Sequence, residues 1–181
     1  DGVIGSINNA EAHGNFNNQG SITGTVTTNS TVVNSGTIAG LYTNSGTLTN
    51  SGTTGDWLNN ATINNTGTMG NGTNNGIFAN TGTVGDVTNN GQFDNASGAT
   101  AGAITLTTGS TFTNAGTVAS VDNTAGITTS NAGTVTGQLT NGTGGIFLNT
   151  GAIGNWLNNG TVSNSGTMSN GTNTGTFANT G

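Results

Sequence analysis

An all-β chain wound as a single-stranded parallel β-helix, or β-solenoid, is the fold class that three features of the sequence predict. An Asn-x-Gly motif recurs in register along almost the whole chain, and an apolar residue stands two positions before nearly every one of its Asn residues. The composition favours strands and turns: Gly fills 34 of 181 positions, Pro is absent, and charged residues make up 3%. Gly, Asn, Thr and Ser are poor helix interiors. The charge-rich, Pro-bearing composition typical of disorder is missing.

Taken in chain order, the rows start at Asn18, Asn34, Asn50, Asn65, Asn80, Asn95, Asn114, Asn131, Asn149, Asn164 and Asn179. They predict about eleven rungs of 15–19 residues. Two positions before each Asn stand Phe16, Val32, Leu48, Ile63, Phe78, Phe93, Phe112, Thr129, Phe147, Val162 and Phe177, a column that holds all 6 Phe of the chain. Four positions after each Asn runs a second column: Ile22, Ile38, Thr54, Met69, Val84, Ala99, Val118, Val135, Ile153 and Met168. A longer echo overlays the rows. Trp57-Leu58-Asn59-Asn60 returns as Trp156-Leu157-Asn158-Asn159, and the stretch 50–82 returns as 149–181, both shifted by 99 residues. Residues 1–181 therefore read as one continuous solenoid segment with an internal duplication.

Each row is expected to make one coil of short strands and turns, stacked on the next at about 4.8 Å. Pro would delete a bond inside such a ladder, which accounts for its absence. Identical positions stack at strand spacing, so a column of charges would repel itself, whereas neutral amides can bond along the axis. Asn34, Asn50, Asn65, Asn80, Asn114, Asn131, Asn149 and Asn164 are thus expected to form a structural Asn ladder at a corner. Asn tolerates a left-handed corner and Gly turns tightly, a conformational reason for the motif. Phe16, Phe78, Phe93, Phe112, Phe147 and Phe177 are expected to form a core column stacked along the rod.

Function is approached first by exclusion. With no Lys or Arg, the chain cannot neutralise phosphates, which excludes nucleic acid as a partner. No apolar run is long enough for a transmembrane helix, and no secretion signal opens the chain. A single His, His13, and the lack of cations speak against lyase chemistry of the kind parallel β-helices carry, which needs a positioned base. Asp56 and Asp86 occupy the same row position two rungs apart, with Asn71 between. Stacking would separate them by about 9.6 Å, near the upper limit for an inverting glycosidase pair. Two lone surface acids that keep a rod soluble explain them more simply, and the duplicated block has Asn155 for Asp56. Asp94 and Asp122 are isolated and no calcium-binding repeat occurs. No catalytic, cofactor or metal residue is assigned, and no cofactor is implied.

Surface-binding candidates remain. Tyr42, Trp57 and Trp156 stand outside the Phe column; one of each Trp-Leu pair should face inward, and an outward Trp could stack on a sugar. A Thr-x-Thr or Ser-x-Thr pattern flanks the row glycines, as in Thr66/Thr68 and Thr81/Thr83. If both residues point outward they form a flat file that resembles the face of solenoidal antifreeze proteins, although Thr is favoured on any exposed strand.

The phrases Asn34-Ser-Gly-Thr-Ile-Ala-Gly40, Asn131-Ala-Gly-Thr-Val-Thr-Gly137 and Asn164-Ser-Gly-Thr-Met168 resemble the NSGTI-x-G repeats of bacterial autotransporter passenger domains and filamentous-haemagglutinin-like adhesins. The resemblance runs from Asn18 nearly to the end of the chain. It implies a β-helix that folds at the bacterial cell surface or outside the cell, and the absence of Cys agrees with that route. It implies a non-enzymatic stalk in adhesion, autoaggregation or biofilm structure, whose partners would be host-cell or matrix glycans or proteins. The last row is broken off and no polar cap is evident, so a segment of a longer repetitive protein is expected. Uncapped rungs without Lys or Pro further suggest end-to-end self-association, with a self-assembling filament as one alternative function and ice binding through Thr-x-Thr as another.

Overall fold

The computed structural model of the chain describes residues 3–9 and 14–181; His13 lies outside the described residues. The chain is all-β, with no helix among those residues. Each rung supplies one strand ending at the row Asn, such as Thr62–Asn65 or Ile77–Asn80. Eleven of these stack in chain order as one parallel sheet. Two further segments of each rung, such as Thr68–Met69 and Gly72–Asn74, build an 18-stranded parallel sheet that covers the other two faces. In the rungs of Thr100–Leu106, Thr117–Asn123, Thr134–Asn141 and Ala152–Asn158 the two segments fuse into one longer strand. Pairing is in register: Ile63 lies on Phe78 and Asn65 on Asn80. The expected β-solenoid is the fold.

The corners follow a different rule from the one the composition suggested. Among the described residues no non-Gly residue has a positive φ, so the Asn corner is not left-handed. The carbonyl of a row Asn instead accepts one or two N–H groups from the next rung, as Asn34 O does from Ser51 N at 2.8 Å and Gly52 N at 3.0 Å. The corner Gly is required because rung lies directly on rung. A Cβ on Gly52 would collide with Gly36 O, and one on Gly82 with Gly67 O.

Among the described residues, left-handed glycines occur only where rungs lengthen. Gly98, Gly109, Gly126 and Gly144 have φ of 74–85°, each in a tight turn such as the one closed by Ala99 N donating to Ala96 O at 3.0 Å. Two such turns stretch the rung from Asn95 to Asn114 to 19 residues, and one stretches the rung from Asn114 to Asn131 to 17. One turn plus a bulge after Val135 stretches the next to 18. The extra residues leave the columns intact but move their membership: Ala101, not Ala99, lies between Val84 and Val118.

The interior holds three apolar columns. Phe78, Phe93 and Phe112 are buried and stack with ring centroids 5.1 and 5.6 Å apart. Phe147 is buried in the same file above Thr129 and below Val162, while Phe16 and Phe177 are half-buried near the two ends. The second column runs through Ile22, Ile38, Thr54, Met69 and Val84. A third, which row alignment on the first Asn did not bring out, runs Val26, Tyr42, Trp57, Gly72, Val87 and Ile104.

Candidate functional site

The most regular polar constellation is inside the rod. The Nδ2 of Asn18 donates to Asn34 Oδ1 at 2.7 Å, and Asn34 in turn to Asn50 at 2.7 Å. The chain of amides continues through Asn65, Asn80, Asn95, Asn114, Asn131, Asn149 and Asn164 to Asn179, with each bond 2.6–2.8 Å. The second amide proton goes to backbone carbonyls, as Asn65 Nδ2 does to Thr83 O at 3.1 Å. Every donor faces the following rung, so the amide dipoles add in one direction. Only Asn offers a donor and an acceptor on one short amide that repeats at this spacing.

A second ladder, buried as far as Asn158, runs parallel to the first: Asn44, Asn59, Asn74 and Asn89, then Asn123, Asn141, Asn158 and the exposed Asn173. Leu106 interrupts it, and Asn123 Oδ1 there accepts Ile127 N at 3.1 Å. Its sequence signal was present, since Asn44-Ser-Gly46, Asn74-Asn-Gly76 and Asn158-Asn-Gly160 repeat the same motif half a rung later. Beside it, an exposed file runs with opposite polarity: Asn75 Nδ2 donates back to Asn60 Oδ1 at 2.8 Å and Asn90 Nδ2 to Asn75 Oδ1 at 2.7 Å.

These ladders correct two of the aromatic candidates. Tyr42 is fully buried, and its hydroxyl lies 3.1 Å from Thr28 Oγ1 and donates to Asn44 Oδ1 at 3.4 Å. It stands in for the amide that Thr28 lacks at the foot of the second ladder. Burial pushes its pKa from 10.0 up to about 12, opposed by the Thr28 bond. Trp57 is buried too, edge-on to Phe78 at 4.8 Å, with Nε1 donating to Gly70 O at 2.9 Å. Neither can stack on a ligand. Trp156 is half-buried, donates from Nε1 to Ser169 O at 3.1 Å as Trp57 does to Gly70 O, but stacks face to face on Phe177 at 5.0 Å instead of meeting it edge-on. Each Trp leans under a glycine of the next rung: Gly72 lies on Trp57 and Gly171 on Trp156, where a Cβ would meet the indole.

The Thr-x-Thr candidates are exposed but do not form one flat face. Thr66 and Thr81 sit at the corner, where their hydroxyls donate to Asn50 O at 3.2 Å and Asn65 O at 3.0 Å. Thr68 and Thr83 lie past the corner, in a single outward file on another sheet. The flat two-file surface is instead the outer face of the 11-stranded sheet. Thr31, Thr47 and Thr62 stack in one of its files, and Val33 and Thr49 in the other. Four of its members, Val33, Ile77, Ile146 and Leu148, are large apolar residues at 40–48% exposure.

Asp56, Asn71 and Asp86 form another axial file, on an outer corner. Asp56 Oδ1 accepts Asn71 N at 3.0 Å, Asn71 Oδ1 accepts Asp86 N at 2.8 Å, and Asp86 Oδ1 accepts Ala103 N at 2.8 Å. Gly70, Gly85 and Gly102 leave the space through which these side chains reach the next rung. No family model, curated protein or solved structure matches the chain. Asp94 is held by Gln92 Nε2 at 2.6 Å and by the Thr113 hydroxyl, and Asp122 Oδ1 accepts Thr124 N at 3.0 Å. Among the described residues no three potential metal-ligating side chains come together, and no helix is long and apolar enough to cross a membrane.

Proposed function

We propose that the chain is a non-enzymatic stalk, exposed at a bacterial cell surface or secreted, that acts in adhesion, autoaggregation or biofilm structure. The observation that carries this reading is the use of the polar side chains. The inward amides form ladders along the axis, and the carboxylates of Asp56 and Asp86 accept backbone N–H groups of the next rung rather than facing each other across a cleft. Such a construction makes a stiff rod, roughly 50 Å long for eleven strands at about 4.8 Å, with repeating faces available to partners. The likeness of the NSGTI-x-G phrases to autotransporter passengers supports the same reading. Its test is display of the chain on a non-aggregating bacterium, against a display partner carrying an unrelated repeat. Clumping or attachment to glycan- or matrix-coated surfaces above that control is expected; equal behaviour of the two strains contradicts it.

Two other readings each have an observation of their own. The weak charge of the sides, all of it negative, and the absence of any Lys to oppose pairing favour a self-assembling filament, tested by sedimentation at micromolar concentration. The two-file face of the 11-stranded sheet favours ice binding better than the Thr66/Thr68 pattern does, and thermal hysteresis in dilute solution tests it.

A further inference from the structure

We propose that the groove beside the Asp56–Asn71–Asp86 file is a binding strip for a linear polymer of amino sugars lying along the rod axis. The groove encloses about 410 Å³. One wall is the file itself, the other is Thr73, Thr88 and Thr105, which stack in register on the adjoining strands. In each member of the first wall one oxygen is tied to the backbone of the next rung. Asp56 Oδ2, Asn71 Nδ2 and Asp86 Oδ2 are left for a ligand, so the wall reads acceptor, donor, acceptor at intervals of about 4.8 Å. That interval is close to the length one pyranose ring occupies in an extended chain.

Charge sets the ligand class. All 6 formal charges are negative and the chain has no Lys or Arg, so sulfated, uronic or sialylated glycans are repelled. Ammonium groups on alternate sugars meet the two carboxylates, while the amide of Asn71 and the Thr hydroxyls match ring hydroxyls. A basic peptide fits less well. The strands under the groove are bonded to a rung on each axial side, which leaves no edge for an added strand, and the floor at Gly72 and Val87 has no side-chain pocket. The duplication provides an internal comparison. Asn155, Trp156, Asn170, Gly171 and Thr172 line a groove of about 490 Å³ at the corresponding place, shifted by 99 residues, in which Asn155 replaces Asp56 and Ser169 replaces Gly70. At these two rungs the second groove presents amides, Asn155 and Asn170, where the first presents Asp56 and Asn71.

The inference rests on the adhesin reading and is tested on the purified chain by calorimetric titration at low salt and pH 6. The probes are a glucosamine hexamer, its fully N-acetylated counterpart and hexalysine. The glucosamine hexamer is expected to bind saturably, more tightly than the other two, and to weaken with salt. Asp56→Asn and Asp86→Asn should each weaken it about threefold to fivefold, as for an exposed ion pair, and Asp122→Asn should not. Asn71, whose amide oxygen makes the same bond to the next rung, shows that an amide fits the file, and melting curves check that the variants fold. No saturable binding of the glucosamine hexamer overturns the proposal, as do equal binding of either other probe or equal effects of Asp122→Asn and Asp56→Asn. Displayed cells that still clump with both groove acids replaced would leave the adhesin reading standing while the groove assignment fails.

Discussion

A single amide in the ladder has four duties: Asn80 Nδ2 bonds Asn95 Oδ1 at 2.8 Å and two carbonyls at 3.2 Å, while its Oδ1 accepts from Asn65 at 2.8 Å. Asn80→Asp removes the donor and places a carboxylate at a fully buried position. A loss of about 3 kcal/mol at neutral pH is expected. Burial raises the pKa of the new carboxyl, so the folded form holds the proton longer and the loss should shrink as pH falls. Denaturant melts of both chains at pH 7 and pH 4 check this. Thr129 is the converse case. It sits buried in the Phe column with no partner for its hydroxyl, so Thr129→Val, of nearly the same shape, should raise stability by about 1 kcal/mol. Tyr42 sets the alkaline limit. An unfolded tyrosine ionises near 10.0, whereas this one keeps its proton to about 12. Between those values the folded state binds the extra proton, so stability falls as pH rises, by on the order of 2–3 kcal/mol in total. The chain has one Tyr, so tyrosinate absorbance follows it directly; titration near pH 10 with the fold intact contradicts the assignment.

At the scale of a strand and its neighbours, size is matched across rungs rather than within them. Trp57 fits only because Gly72 lies on it. Gly72→Ala should therefore destabilise by about 1–3 kcal/mol through overpacking. Trp57→Val in the same chain should remove most of that penalty, a coupling that a double-mutant cycle on melting data measures. This pairing was not legible in the sequence, because Trp57 and Gly72 belong to a column visible only when rows are aligned on the second Asn. The Phe column and the rung length were legible, because large residues recur two positions before a conspicuous Asn-x-Gly. A row counted from Asn95 puts Ala99 in the second apolar column because it takes no account of the turn at Gly98, which pushes Ala101 into that place. The corner glycines are there for a different property from the tight turning that the sequence suggests. Their conformations are ordinary, and what they lack is a Cβ that the carbonyl of the rung below would strike.

For the whole molecule, the same periodicity that makes the fold readable conceals the site. Groove walls arise where Gly-Asp and Gly-Asn dipeptides fall one above another, at Gly55-Asp56, Gly70-Asn71 and Gly85-Asp86. In a chain this rich in Gly and Asn, only the stacking reveals which of them share a file. Both the stalk reading and the axial groove depend on one claim: consecutive rungs advance by one strand spacing without slipping register. Thr31, Thr111, Thr128 and Thr161 stand at the same position of their rungs on the outer face of the 11-stranded sheet. The native chain contains no Cys, so pairs of spin labels can be placed there cleanly and their separations measured by pulsed electron resonance. Pairs of Thr31 with Thr111, Thr128 and Thr161 span five, six and eight rungs and should lie about 24, 29 and 38 Å apart. Separations that do not grow with rung number, or that cluster near a single short value, would contradict the solenoid.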